Sequence, residues 1–416
     1  MGMANRVGPG ESRIVSIDLL RGLDVLLMLF VNEVAGVRDA PAFLRHVAPD
    51  ADGMTITDVV FPAFLFIVGM AIPFALDGRL RRGETRSAIW RHVLVRTFAL
   101  VVIGVFMVNA EMAGPAGPLP LAVWNILMTV AVVMIWAAPA VAAAARRRQR
   151  WLQLVGVALL VVLAFTYRGT DLTGLIQLRP HWWGILGLIG WAYVLVAGVY
   201  LLVGDRPAIL TGLMALLYCL YLADAAGQAA ALVAFRPYLS VGSVLGSHGA
   251  VALSGTILSV MLRLHQREGA PAARFVGPAL AYAAALAAAG LLLHTLSALD
   301  PAFRFSKVHA TPPWCLVSSA LTAAAWAAVY AVADVRGFRR WPPVVLMAGE
   351  NALVAYLLAP FFLSLFEASA PLFGGTNFYE ALAENTWVGL VRSAVFAWLV
   401  VRLCGLLRGS GLRMQL

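Results

Sequence analysis

Long runs of apolar residues, separated by short polar segments, fill nearly the whole chain. Each run is about 20 residues long, the length that an α-helix needs to cross a hydrocarbon core of about 30 Å. The runs do not alternate apolar and polar residues, as the strands of a membrane barrel would. Because backbone amides in lipid must be paired within their own segment, the pattern predicts an all-α, polytopic transmembrane helical bundle.

About twelve spans are predicted. They cover roughly residues 17–36, 56–76, 92–109, 119–144, 151–166, 183–203, 207–223, 250–262 (with an uncertain turn from 240), 274–297, 313–333, 343–367 and 387–407. Residues 224–249 have mixed polarity, and a loop, a re-entrant segment and part of a broken helix are all open there. We expect 10–12 spans in a single domain over 17–408, with tails at 1–16 and 409–416 and no separate soluble domain.

Composition and charge agree with a membrane protein. The chain is 61% hydrophobic and 12% charged, and its net charge is +10. Loops on the same predicted side as the N-terminus carry sixteen of the loop arginines, whereas the opposite loops carry only six arginines and one lysine. This bias predicts that both termini are cytoplasmic and that the protein lies in a bacterial inner (plasma) membrane. The basic loops are expected to meet anionic lipid headgroups rather than nucleic acid.

The three cysteines give no sign of metal or disulfide chemistry. Cys219, Cys315 and Cys404 all lie in apolar spans without CxxC spacing, and we interpret them as small core residues. The chain also lacks HExxH, P-loop and GxGxxG-helix motifs. We therefore predict neither a metal nor a nucleotide-binding fold.

The first predicted span contains several ionisable residues, which are costly in lipid and usually face a polar cavity or each other. Asp18 and Arg21 are three residues apart and can pair on one helix face. Two interpretations stay open: a structural ion pair, or an Arg21 that also offers its planar guanidinium to a ligand phosphate or carboxylate. Asp24 lies deeper, and Asn32 and Glu33 end the span close in depth to the start of the second.

His46, in the first loop on the opposite side, is the best candidate catalyst. A neutral imidazole can accept a proton from an amine or hydroxyl, or take an acyl group itself. The carboxylates of Asp50, Asp52 and Asp58 lie close enough in sequence to orient its ring. Asp58 has a structural alternative, because it follows Thr55 in the first turn of the second span and can cap that helix.

Two later motifs add candidates. Lys307 is the chain's one lysine and stands with His309 in KVHATPPWCL, on the same side as His46. Glu350 and Asn351, in AGENALVAY, either line a cytoplasmic vestibule or bond neighbouring helices. The candidate substrate-binding residues are Asp50, Asp52, Lys307, His309 and Trp314.

These motifs together resemble a known family. R-x-x-S-I-D-x-L-R-G-L from Arg13 to Leu23 and T-x-x-D-V-V-F-P-A-F-L-F-I-V-G from Thr55 to Gly69 carry most of the resemblance, with the two later motifs in support. The chain is similar to the transmembrane acetyltransferase family of heparan-alpha-glucosaminide N-acetyltransferase and its bacterial relatives. It departs from the animal pattern at HVAPDADG, which has acids and no tryptophan, so the acceptor need not be glucosamine.

The resemblance implies a membrane-bound acyltransferase. Acetyl-CoA would bind from the cytoplasm, and an amino sugar or other sugar would be acetylated on the periplasmic side. The family's catalytic histidine and its neighbouring asparagine fall on His46 and Asn32, with Asp58 beside them. The family also permits a homodimer. The candidate coenzyme-binding residues are Arg13, Arg21, Arg91, Arg96 and Asn351.

Two rival hypotheses stay open. One is a proton-coupled transporter of amino sugars or oligosaccharides, with Asp18, Asp24, Glu33 and Asp58 carrying the protons. The other is a structural partner for envelope polysaccharide machinery.

Overall fold

Fifteen α-helices make up most of the computed structural model, which describes residues 14–112, 117–137, 143–169, 174–181, 184–228, 230–236, 238–409 and 414. The helices are α1 (Val15–Val34), α2 (Ile56–Arg81), α3 (Arg86–Glu111), α4 (Leu121–Trp136), α5 (Ala143–Thr166), α6 (Ile185–Val203), α7 (Pro207–Ala225), α8 (Ala230–Phe235), α9 (His248–Arg267), α10 (Val276–His294), α11 (Pro312–Tyr330), α12 (Pro343–Glu350), α13 (Ala352–Ser369), α14 (Phe378–Ala381) and α15 (Thr386–Gly409). No strand occurs in these ranges, so the all-α prediction is confirmed.

The number of membrane spans also agrees with the prediction. Ten helical segments in the described part of the chain are long and apolar enough to cross a membrane. Helix α4 is apolar but has only 16 residues, and α1 carries four ionisable residues. The ten candidate spans fall within the 10–12 predicted from the sequence.

The structure corrects one predicted span and resolves the region that the sequence left open. The predicted span 343–367 is broken at Asn351, whose φ of −132° and ψ of 36° separate α12 from α13. The ambiguous region 224–249 contains the short α8 and a π-helical turn, Gly242–Ser247, which leads directly into α9. The eighth span therefore begins about eight residues before the core predicted for it.

Helices α2 and α9 form the centre of the bundle, and their backbones approach each other unusually closely. A Cβ added to Gly69 would lie 1.7 Å from the carbonyl oxygen of Ala252, and one on Gly255 would lie 2.0 Å from that of Phe66. The Thr256 hydroxyl donates to the Gly69 carbonyl oxygen at 2.8 Å. Small residues and interhelical hydroxyl bonds are typical of helix packing in membranes, where no hydrophobic effect drives helices together.

Partly buried carboxylates fix helix ends on the side with the basic loops. Asp334 accepts hydrogen bonds from the first two backbone N–H groups of α1, at 3.1 and 2.9 Å. Arg263, only 2% exposed at the end of α9, donates to Asp77 of α2 and to Asp205 after α6. These contacts hold α1, α2 and α9 in register, and α1 and α2 carry the candidate site on the opposite side.

Candidate active site

The carboxylate of Asp58 has two structural tasks at once. Its Oδ2 accepts hydrogen bonds from the backbone N–H groups of Thr55 at 3.0 Å and Val47 at 3.3 Å, which closes a capping box at the start of α2. Its Oδ1 lies 2.7 Å from Nδ1 of His46. The two interpretations of Asp58 from the sequence, helix cap and partner of the imidazole, are therefore compatible.

This geometry fixes the tautomer of His46. A carboxylate oxygen accepts hydrogen bonds, so Nδ1 carries the hydrogen and Nε2 is left with a lone pair while the ring is neutral. The Asp58 side chain is 3% exposed, whereas that of His46 is 40% exposed. A buried carboxylate thus orients an accessible imidazole, which is the arrangement that general base catalysis requires.

Lys307 completes a group of three ionisable side chains. Its Nζ lies 3.2 Å from Nδ1 and 3.1 Å from Nε2 of His46. Burial lowers the pKa of Lys307, and the nearby negative charge of Asp58 opposes part of that effect. The lysine therefore gives up its proton more easily than an exposed lysine does.

The loop that carries Lys307 is tied to the loop that carries His46. The Asp52 carboxylate accepts a hydrogen bond from the Phe305 backbone N–H at 2.8 Å, and the Gly53 N–H donates to the Phe305 carbonyl at 3.2 Å. Ala310 ends the turn after Lys307 with a φ of 50°, a left-handed conformation that is rare for alanine. Such strain is typical of segments that position functional groups.

These side chains face a large cavity of about 1250 Å³, the outer cavity. Asn32 also lines it, from the end of α1, and no hydrogen bond within the described residues engages its amide. The floor and walls include Met107 and Val108 of α3, and the far side is formed by α13. The volume exceeds the usual range for a small-ligand pocket.

A second cavity of about 300 Å³, the inner cavity, lies deeper in the bundle. Its lining includes Arg21 and Arg96, and it shares Ile185, Leu186 and Tyr356 with the first cavity. The two spaces therefore adjoin at these side chains. The pair of cavities therefore extends from the His46 loop toward the helix ends that carry the basic loops.

The two arginines of the second cavity have different surroundings. Arg21 donates to Asp18 at 3.1 Å and approaches the Gly349 carbonyl oxygen at 3.5 Å. The Arg96 guanidinium lies 4.8 Å from the centre of the Tyr193 ring, and its buried Nε has no hydrogen-bond partner in the described part of the chain. Arg96 is thus held by stacking on Tyr193, and its Nε–H remains able to donate a hydrogen bond.

The other predicted site residues lie outside the two cavities or at their margins. Asp50 and His309 are exposed, and neither lines a cavity, while Trp314 is fully buried. Arg91 is exposed on α3 away from both spaces. Asn351 stands at the break before α13, between two residues that line the second cavity. Arg13 lies outside the described residues.

One wall of the large cavity was not anticipated from the sequence. It is built by residue 236 and residues of the segment 238–248, which belong to the region of mixed polarity whose structure the sequence left open. Its cavity-lining polar residues are Arg236, Tyr238, Ser240, Ser243 and His248. The mixed polarity of this region was the sequence feature that could have indicated a functional role. Nothing in the sequence showed that these residues line the same cavity as His46.

Glu33 also lines the cavity, but it is engaged in a buried cluster. It accepts a hydrogen bond from the Tyr379 hydroxyl at 2.6 Å, and Arg392 donates to its backbone carbonyl at 3.1 Å. Arg392 stacks 4.3 Å from the centre of the Tyr379 ring. Glu33 therefore joins α1 to α14 and α15, a structural role.

Comparison with known proteins places the chain in a family. A family model described as "Domain of unknown function (DUF5009)" matches residues 13–237. Human heparan-alpha-glucosaminide N-acetyltransferase is 34% identical over 97 residues, and the mouse protein of the same name is 35% identical over 98 residues. These matches cover 23% and 24% of this chain but only 14% of each relative. Since the family model spans more than half of the chain, including His46 and Asp58, this protein belongs to the DUF5009 family.

Proposed function

We propose that this protein is a membrane-bound acetyltransferase. It would move an acetyl group from cytoplasmic acetyl-CoA to an amino sugar, or another sugar, on the periplasmic side of the bacterial inner membrane. The observation that carries the proposal is the accessible His46–Asp58 pair at a cavity that adjoins a second, arginine-bearing cavity. The names of the human and mouse relatives support acetyl transfer as the reaction class.

The donor side follows from the charge of coenzyme A. This polyanion cannot cross lipid, but its long pantetheine arm can enter a helical bundle. Arg21 and Arg96 are the described cationic side chains of the inner cavity, and the loops predicted to be cytoplasmic carry most of the chain's loop arginines. Guanidinium groups suit phosphate oxygens because their donors are planar and paired. The thioester would pass Tyr356 to reach the outer cavity.

The acceptor side uses the His46 group. The acceptor nitrogen attacks the thioester carbonyl carbon, forming a C–N bond as the C–S bond breaks. His46 takes the proton from the nitrogen and passes it to the departing thiolate, with Asp58 holding the ring in the required tautomer. The Asn32 amide would donate a hydrogen bond to the carbonyl oxygen as negative charge develops there. Lys307 would contact the same ring from the loop before α11.

The decisive experiment uses purified protein, radiolabelled acetyl-CoA and a panel of sugars that includes glucosamine. We expect acetyl transfer by the wild type and its loss, by at least about 10²-fold, in His46→Ala. The control is His265→Ala, because His265 bonds the Pro271 carbonyl at the opposite end of the bundle. Retained transfer by a folded His46→Ala protein would disprove the proposal. Sugar uptake by vesicles without acetyl-CoA would point to transport instead.

A further inference from the structure

His248 is a buried imidazole in the outer cavity to which the proposed reaction assigns no task. It begins α9, directly after the π-helical turn Gly242–Ser247, and is only 6% exposed. It lines the same cavity as His46 and Lys307. Single π-helical turns inside α-helices occur frequently at functional sites.

Two contacts fix the orientation of the His248 ring. Its Nδ1 lies 2.7 Å from the Ser243 carbonyl oxygen, which only accepts hydrogen bonds, so Nδ1 carries the hydrogen. Its face meets the Phe61 ring, with 5.6 Å between centroids and 50° between planes. In the neutral ring Nε2 therefore has a lone pair, and no described residue donates to it. Because His248 lines the cavity, this lone pair can accept a hydrogen bond from a ligand or from water there.

The contact with Phe61 locates His248 relative to the reacting group. Phe61 follows Asp58 by three residues on α2, so both side chains lie on one helix face about one turn apart. Both line the cavity. His248 thus contacts a residue one helical turn beyond Asp58 on α2 and lines the same cavity as His46.

A buried carboxylate holds the wall that presents His248. Asp224 accepts hydrogen bonds from Arg236 Nε and from the Gly242 backbone N–H, both at 2.8 Å. The approach is so close that a Cβ on Gly242 would lie 2.6 Å from the Asp224 Cβ. The wall is therefore set before any ligand arrives, as a specific binding site requires.

We propose that His248 is an acceptor-binding residue, whose Nε2 accepts a hydrogen bond from a ring hydroxyl of a polyhydroxylated amine. This inference rests on the proposed function, because it names how the acceptor of that reaction is recognised. The neighbouring Ser240 and Ser243 hydroxyls give the wall the neutral polar character that suits a sugar. Arg236 is occupied by Asp224 at the edge of this wall. Recognition of hydroxyl groups by fixed polar groups gives strong discrimination against analogues that lack them.

The test compares two amines, glucosamine and cyclohexylamine, which has the ring and the amine but no hydroxyl groups. His248→Asn keeps a donor near the Ser243 carbonyl and removes Nε2, and His248→Phe keeps the packing on Phe61 and removes both nitrogens. In either variant we expect the KM for glucosamine to rise about tenfold, the effect of one lost hydrogen bond. The KM for acetyl-CoA, the kcat and the KM for cyclohexylamine should stay unchanged. His248→Gln, which restores an acceptor near the Nε2 position, should recover most of the loss.

A binding measurement separates this inference from the acyl-transfer proposal. Glucosamine is titrated by calorimetry into purified His46→Ala protein, without acetyl-CoA, and into the same protein with His248→Asn or His248→Phe added. Binding that depends on His248 would support the inference even if the wild type transferred no acetyl group. The inference is overturned if the His46→Ala protein does not bind glucosamine, or if neither His248→Asn nor His248→Phe weakens that binding. It is also overturned if these variants raise the KM for glucosamine and for cyclohexylamine equally.

Discussion

At the residue scale, the site depends on one carboxylate whose two oxygens have different partners. One oxygen of Asp58 caps α2 and the other orients His46. Fold and chemistry are therefore coupled in a single side chain. A substitution at this position changes the start of the helix as well as the tautomer of the imidazole.

Asp58→Asn tests this coupling. The amide that replaces one oxygen can donate to Nδ1 and so favour the wrong tautomer of His46, and we expect kcat for acetyl transfer to fall about 10²–10⁴-fold. Melting temperature should fall modestly, because a weaker cap typically costs about 1 kcal/mol. Glu380→Gln, an exposed change on the same side of the bundle, is the control. Wild-type kcat in a folded Asp58→Asn protein would remove Asp58 from the mechanism.

The lowered pKa of Lys307 predicts a dependence of stability on pH. Because burial brings the pKa of the folded state below the ordinary value of 10.5, the folded protein loses this proton first as pH rises. The cost of the buried charge is full below the lowered pKa and is relieved between that pKa and 10.5. The melting temperature of Lys307→Met relative to wild type should therefore be highest near pH 7 and fall toward pH 10.5. A difference that stays constant over this range would contradict the burial of a charged Lys307.

At the element scale, the contact between α2 and α9 is the central packing feature of the bundle. Thr256 and Ser259 donate hydrogen bonds to the carbonyls of Gly69 and Met70 at 2.8 Å, across the interface that Gly69 and Gly255 bring together. Asp58 lies in the first turn of α2 and His248 begins α9, so this interface also helps to set the distance between His248 and the His46 that Asp58 orients.

Gly69→Ala should destabilise the protein by about 1–3 kcal/mol or more, because the added methyl group overlaps the Ala252 carbonyl and the helices must separate. Thermal unfolding in detergent measures the effect. The matched control is Gly212→Ala in α7, where an added Cβ has no neighbour within 4 Å. Equal melting temperatures for the two variants would show that α2 and α9 are not packed this closely.

At the scale of the whole molecule, Tyr356 lies where the two cavities meet. Tyr356→Trp adds bulk at this boundary, and we expect acetyl transfer to fall at least about tenfold while acetyl-CoA and glucosamine still bind their separate cavities. Tyr356→Phe keeps the size and should keep most of the activity. If the tryptophan variant transfers acetyl groups at the wild-type rate, the donor does not pass between the cavities at this point.

The proposed orientation in the membrane is also a property of the whole molecule. Asp50→Cys and Arg82→Cys place thiols at exposed positions on opposite sides, in a Cys219→Ser background that leaves only buried cysteines among the described residues. A membrane-impermeant maleimide should label Asp50→Cys in intact cells and Arg82→Cys only after lysis. The reverse pattern would place the His46 loop in the cytoplasm and rule out a periplasmic acceptor.

The sequence determined the features that depend on local order. Backbone groups in lipid must be hydrogen-bonded within their own segment, so a long apolar run must form a helix. The all-α class and a number of spans near ten could therefore be predicted from the chain. The spacing from Thr55 to Asp58 encodes a capping box, and His46 lies only twelve residues before Asp58, so their meeting needed little beyond a short loop.

Only the tertiary structure decided what depends on contacts between distant segments. It placed Lys307 of the loop before α11 against His46, and it put the segment 238–248 in the wall of the same cavity. It also showed that Asp52 ties two loops together and that Trp314 is buried in the core. Helix packing in a bilayer depends on small residues and on the fit of whole surfaces. A run of apolar residues indicates that a helix crosses the membrane, but it carries little information about which helices become its neighbours.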